Sequence, residues 1–305
     1  MVRIIRERLR QKYRTMRYPR GEPPALPDRF RGLPVLPSQP CPSSCRDCVD
    51  ACPTEALSVT TGSRLRMDLG RCVFCGECTA TNPRNTAAAC PQDVLSFSRD
   101  YRMAVRKREH LVLGPEKLHR PEGADSLHRP EGADSLRRPE GADSLRRPEG
   151  ADSLRRAEAL GNDLRRLLGR ALRLRQVSAG GCNACEADAN VLTTVGWDIG
   201  RFGIQFVASP RHADGLLVTG PVTTNMRTAL EKTYDAVPSP KIVIASGACA
   251  ISGGIYRGSP VACDGVAGIL SVDLLVPGCP PHPLTLLDGL LRLLGRAGPA
   301  ITPPA

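Results

Sequence analysis

The chain has 305 residues with 41% hydrophobic content, enough for one large core or two modest ones, so two domains is the default expectation. Thirteen cysteines exceed the usage of an ordinary cytosolic enzyme, yet the first twenty residues carry eight Arg or Lys and no unbroken apolar stretch, which argues against a secretory leader and a disulfide framework. The formal charge of +11 comes with only 4% aromatic residues and no interleaving of basic and aromatic side chains, so a nucleic-acid partner is not expected.

No run approaches about eighteen apolar residues, so no bilayer span is expected. A cytoplasmic protein with reduced thiols follows. Residues 1–37 form a basic amphipathic segment: Ile5, Leu9, Tyr13 and Met16 recur at helical spacing opposite Arg3, Arg6, Arg10, Arg14 and Arg17. That pattern suits a membrane surface or an acidic partner, the plain alternative being a solvated terminus.

Residues 38–113 form the next unit. Cysteines in short Gly/Pro-punctuated loops cannot pack an ordinary core without an inorganic staple. CPSSCRDCVDACP supplies Cys41, Cys45, Cys48 and Cys52, CVFCGEC supplies Cys72, Cys75 and Cys78, and Cys90-Pro91 follows. In the run C-x2-C-x2-C-x3-C-P the fourth cysteine ligates the other cluster. The expected sets are therefore Cys41, Cys45, Cys48 and Cys90 for one [4Fe–4S] cluster, and Cys72, Cys75, Cys78 and Cys52 for a second. Both runs depart from strict spacing: three residues separate Cys41 from Cys45, and Asn82-Pro83 stands where Cys-Pro is expected, with Cys90 displaced by an insertion. Without Cys90 the first cluster becomes a three-iron or labile centre.

Residues 114–158 read as a linker built on a nonapeptide repeat, LHRPEGADS or LRRPEGADS, from Leu118 to Ser153. One glycine per unit is too few for a calcium-binding roll, one Leu too few for a stacked core, and Pro and Gly interrupt any long helix. As coil it would span roughly 30–36 Å, which connects domains without fixing their separation.

Residues 159–298 form the last domain, with a tail at 299–305. Leu160, Leu164, Leu167, Leu168, Ala171 and Leu172 make one helical stripe. Four short apolar runs follow, GIQFVASP, ADGLLVTGP, KIVIASGAC and VDLLVPGCP, with amphipathic helices in TTNMRTALEKTYDAV and LTLLDGLLRLLGR. Strands apolar on both faces, alternating with helices, predict a parallel sheet covered on both sides. Ligand sites in such sheets form at the carboxyl ends of strands. Cys249 and Cys279 end two of these strands and join Cys182 and Cys185 of GGCNACE in a four-thiolate set. Zinc and [4Fe–4S] both accept four thiolates; the glycines at 247, 253, 254 and 278 favour the cluster by letting backbone N–H groups approach its sulfides. Cys263, outside any strand end, reads as a plain thiol. Three clusters, each about two negative charges, would lower +11 to about +5.

The motifs GGCNACE, RFGIQFVASPRHADGLLVTGPVT, SGACAISGG and VPGCPPHP closely resemble the small subunit of membrane-bound, group 4 [NiFe] hydrogenases, including formate hydrogenlyase, which is related to the terminal-cluster subunit of complex I. FRGLPVL, the two cysteine runs and FSRDYRMAVRKREHLVL resemble the two-cluster ferredoxin subunit of the same assemblies. The resemblance implies an α/β architecture in which a ferredoxin-like α+β domain precedes a flavodoxin-like domain. It implies a proximal cluster on Cys182, Cys185, Cys249 and Cys279, facing a [NiFe] hydrogenase-type large subunit that holds the active site. This chain would then carry three [4Fe–4S] clusters and no catalytic residue. It would join the membrane peripherally through partner subunits, including membrane subunits of the same complex. Complex I relatives place the first two cysteines side by side, whereas Asn183 and Ala184 separate them here, as in hydrogenases. Glu186 is expected to relay protons or shape the cluster's surroundings, or else to cap the next helix at the surface. Arg211 and His212 suit subunit contacts, cluster tuning or a simple turn. The rival functions are a complex I-like NADH/quinone oxidoreductase subunit and a zinc-stabilised interaction scaffold.

Overall fold

The computed structural model describes residues 2–11, 14–37, 39–42, 45–79, 95–114 and 171–296. The repeat, the leucines at 160–168, Tyr13, Cys90 and the tail lie outside the described residues.

The C-terminal part is built on a five-stranded parallel sheet. Its strands are β6 (Leu172–Ser178), β7 (Ile204–Phe206), β8 (Gly215–Thr219), β9 (Ile242–Ser246) and β10 (Leu274–Val276), in the spatial order β10-β9-β8-β6-β7. This is the doubly wound 2-1-3-4-5 arrangement, which the flavodoxin-like expectation anticipates. The sequences GLLVT and IVIAS of β8 and β9 are buried at every position, because helices or the N-terminal domain cover both faces.

On one face, Leu174, Leu217, Ile244 and Val276 pack against two helices, α3 (Ala184–Val191) and α6 (Pro283–Leu293), through Ala189, Leu284, Leu287 and Leu291. On the other, Leu216, Val218, Val243 and Leu275 meet Leu230 of α4 (Thr224–Ala236). The same cluster takes in Leu69, Val105, Leu111 and Leu113 from the N-terminal part.

One strand differs from the sequence expectation. Ala171 and Leu172 belong to no helix: Leu172 opens β6, in which Leu172, Leu174 and Val177 are buried while Arg173 and Ser178 are exposed. The L-R-L-R alternation at 172–175 has period two, and its junction with a Leu/Arg-rich stretch disguises it as the end of a helix.

The N-terminal part has short antiparallel pairings. β2 (Leu57–Val59), β3 (Leu65–Asp68) and β5 (Val112–Leu113) form one sheet, and β1 (Pro34–Val35) pairs with β4 (Ser96–Phe97). The core here is small and sulfur-rich, made of Cys48, Ala56, Leu57, Leu65, Met67, Cys72, Cys78 and Leu95.

Several contacts join the two parts. Val105 and Leu275 exchange N–H···O bonds of 3.0 and 2.8 Å as an antiparallel bridge at β10. Ser252 Oγ donates to Gly70 O at 2.8 Å. Tyr18 Oη donates to buried Asp288 Oδ1 at 2.7 Å, and Arg292 pairs with the other carboxylate oxygen.

The first helix, α1 (Val2–Gln11), is shorter than the expected stripe. Met16 lies beyond it, donates its N–H to Gly196 O at 3.0 Å and packs against the first core cluster. Among the described residues no helix is long and apolar enough to cross a membrane.

Candidate metal centres

The loops that leave the carboxyl edge of the sheet carry the four C-terminal cysteines, although among the described residues no group of three or more His, Cys, Asp or Glu is arranged to hold a metal ion. After β6, the chain turns at Asn183, in the left-handed region at φ 68°, and enters α3, so that Cys182 and Cys185 flank the turn. After β9, Gly247 leads into the short helix α5 (Ala248–Ser252), which carries Cys249 in its first turn. After β10, Gly278 delivers Cys279. Two backbone bonds lock these last loops together: Gly247 N–H donates to Val276 O at 2.9 Å, and Ala248 N–H to Gly278 O at 2.8 Å.

Gly247 is where the cradle is tightest. Its φ is +94°, and a Cβ there would lie 2.6 Å from Cys185 Sγ. A side chain at this position would therefore displace the sulfur as well as strain the backbone. A Cβ at Gly254 would likewise meet Cys249 Sγ at 2.9 Å.

Three of these thiols are shifted in the same direction. Burial, reinforced by the charges of Cys249, Glu186, Cys279 and Cys182, pushes the Cys185 thiol well above its ordinary value. Burial, then Cys279 and Cys182, raises Cys249 to about 11. Burial, then Cys182 and Cys75, raises Cys279. Thiolates brought together repel one another, and a bound cationic metal core would reverse that balance by favouring the ionised forms. Cys263 instead packs against the second core cluster.

In the N-terminal part, Cys48, Cys72 and Cys78 are buried in one small core and Cys52 packs against it. Burial pushes the Cys72 thiol up, opposed by an N–H···S bond from Phe74 and reinforced by Cys78, Cys52 and Cys75. Burial, then Cys52 and Cys75, raises Cys78 to about 12, with Cys48 a smaller contributor. Phe74 N–H donates to Cys72 Sγ and Ala56 N–H to Cys52 Sγ, both at 3.3 Å; N–H groups aimed at sulfur are the contacts that stabilise a bound cluster. Arg31 Nη1 donates to Phe74 O at 3.1 Å, and its guanidinium occupies the space that a Cβ on Gly76 would need. The FRG sequence preceding the cysteine runs was the available signal for that contact.

The remaining set is placed only in part. Cys48 is buried in the short helix α2 (Asp47–Asp50), while Cys41 and Cys45 are half-buried in the loop before it. Cys90 falls outside the described residues.

The two cysteine-rich parts meet: the Ser252–Gly70 bond links the helix bearing Cys249 to the loop before Cys72.

Glu186 is no surface cap. It is 5% exposed, and its Oε1 accepts a 2.6 Å bond from Thr219 Oγ1 at the end of β8. The sequence offered no sign of this partner, which lies 33 positions away. Arg211 and His212 lie in an exposed 3-10 turn, Pro210–His212.

A doubly wound parallel sheet with cysteines on the loops at its carboxyl edge defines the class, a cysteine-bearing α/β protein of flavodoxin-like topology. Residues 182–293 match the family described as NADH ubiquinone oxidoreductase, 20 Kd subunit, and the chain belongs to that family. It is 41% identical over 133 residues to the probable membrane-bound hydrogenase subunit mbhJ of Pyrococcus furiosus, covering 44% of this chain and 80% of that one. It is 42% identical over 132 residues to formate hydrogenlyase subunit 7 of Escherichia coli, covering 43% of this chain and 52% of that one. It is 42% identical over 113 residues to an NADH-quinone oxidoreductase subunit of Desulfovibrio desulfuricans, covering 37% of this chain and 61% of that one. The family match leaves the N-terminal cysteine runs outside it.

Proposed function

We propose that the chain is an electron-transfer subunit of a membrane-associated hydrogenase-type complex, holding three [4Fe–4S] clusters and passing electrons to or from a catalytic large subunit. The observation that carries this reading is the Ser252–Gly70 bond, which ties the helix bearing Cys249 to the loop before Cys72 and so joins the two cysteine-rich parts within one chain.

A [4Fe–4S] cluster bound at such a set supplies one-electron redox chemistry. The chain's own residues do the rest. Cys72 and Cys78 are buried and Cys185 and Cys249 half-buried, while Cys182 and Cys279, both exposed, open the C-terminal loops toward the surface. Exposed Ile255, Tyr256 and Val261 follow Cys249 and suit an apolar docking face for the large subunit. The third set, Cys41, Cys45, Cys48 and Cys90, rests on spacing alone.

The separation of Cys182 from Cys185 by Asn183 and Ala184 favours hydrogenase chemistry over the quinone-reducing alternative. Hydrogen uptake or evolution by the assembled complex tests that choice. Anaerobically purified protein should hold about twelve iron and twelve acid-labile sulfide per chain, whereas stoichiometric zinc without iron would refute the cluster reading. Cys279→Ala should erase one cluster's signal in electron paramagnetic resonance and abolish turnover while the other two signals persist; unchanged turnover would count decisively against the assignment.

A further inference from the structure

We propose that α1 is a lipid-binding element, which lays this chain directly on the anionic face of a membrane rather than leaving it attached only through partner subunits. The helix is well formed from Val2 to Gln11, yet its large apolar side chains face outward from the described residues: Ile4 is 74% exposed, Ile5 56% and Leu9 73%. Ile5 and Leu9 are one turn apart and share a face; Arg6 and Arg10, also one turn apart, run alongside them, with Arg3 next in the same basic row. An apolar stripe bordered by arginines is the arrangement of a helix lying in a headgroup layer. The aliphatic side chains enter the acyl boundary while the guanidinium groups remain with the phosphates.

Charge selects among occupants. Residues 1–20 contain eight Arg or Lys against a single acid, Glu7, which lies within 3.8 Å of Arg10. A surface of anionic phospholipid complements both the charge and the apolar stripe, and needs no shaped groove.

The root of the helix is held firmly. Thr15 Oγ1 donates to Val195 O at 3.0 Å, Met16 N–H donates to Gly196 O at 3.0 Å, and Arg201 donates to the carbonyls of Met16 and Tyr18. Val195 is itself 64% exposed, so a further apolar side chain stands at the point where the arm meets the domain. This anchoring would transmit a hold on α1 to the domain bearing Cys182 and Cys185.

The test is flotation of the full, cluster-loaded chain with vesicles of phosphatidylcholine alone or mixed with phosphatidylglycerol. Wild type should float with the mixed vesicles, be released by high salt and ignore the neutral ones. Because each basic residue near an anionic surface contributes about a fivefold gain in partitioning, Arg6→Gln with Arg10→Gln should weaken binding roughly 25-fold. Ile5→Asn with Leu9→Asn should weaken it at least tenfold at unchanged net charge. All variants should keep the wild-type visible spectrum and thermal midpoint, since these side chains are exposed. Equal binding to neutral vesicles, full binding by the Ile5/Leu9 variant, or no binding by wild type would each overturn the proposal. So would α1 crosslinking to an acidic subunit in a chain that ignores vesicles. These outcomes are independent of the number of clusters held.

Discussion

Gly247→Ala probes the cradle at its narrowest point. Two costs combine. The backbone at φ +94° disfavours any residue with a Cβ, at about 1–2 kcal/mol. The new methyl would also start 2.6 Å from Cys185 Sγ, and reaching an ordinary separation of about 3.6 Å requires the sulfur to retreat about 1 Å. Metal–ligand distances tolerate only about 0.2 Å, so Cys185 can no longer reach the position from which it would ligate. The control is Gly295→Ala, which carries a similar backbone penalty at φ +66° but has nothing within 4 Å of its new Cβ. Gly295→Ala should lose about 1–2 kcal/mol, roughly 2–8 °C in Tm, and Gly247→Ala more than that. Only Gly247→Ala should also lose one cluster, seen as about a third of the iron and one missing paramagnetic signal. A Gly247→Ala protein with full iron and the control's Tm would refute the placement of Cys185 at a cluster.

Two further outcomes follow. In cluster-free protein, Cys249 is raised to about 11 and Cys78 to about 12; the folded state then retains protons that the unfolded thiols release near their ordinary value of about 8.5. Stability is therefore full below about pH 8.5 and declines as pH rises toward 11 to 12, and denaturant midpoints at pH 8 and 10.5 should differ in that direction in cluster-free protein and much less when the thiolates are already committed to metal. Thr219→Val leaves the buried Glu186 oxygen without its 2.6 Å donor, and should cost about 1–3 kcal/mol in denaturant unfolding, whereas Thr219→Ser, which keeps the hydroxyl, should cost less than half as much.

The C-terminal site was legible because its ligand candidates follow from local rules. A short apolar run followed by glycine and cysteine marks a buried strand delivering a side chain to the carboxyl edge, and KIVIASGAC and VDLLVPGCP both do so. Other features depend on partners distant in sequence. Glu186, an acid in the first turn of a helix, looks like a surface residue until Thr219 is found across the sheet. Nothing in Val105 or its charged neighbours indicates pairing with Leu275. β6 was hidden by composition, because Leu and Arg serve an amphipathic helix and an alternating strand equally well.

The interface changes what the expected linker has to do. A coil of 36 residues leaves two tethered domains at an effective concentration but at no set distance, and electron exchange between metal sites decays too steeply with separation to tolerate that. Here Leu69, Val105, Leu111 and Leu113 complete the core on one face of the parallel sheet. Tyr18 closes onto the Asp288–Arg292 pair on the opposite face. The N-terminal part thus grips the sheet from both sides, and the loop before Cys72 stays against the helix bearing Cys249 through packing rather than through chain connectivity. The residues at 114–158 then need only be long enough to permit docking, so their removal, with the two halves supplied as separate chains, should leave the docked pair intact at concentrations above its dissociation constant.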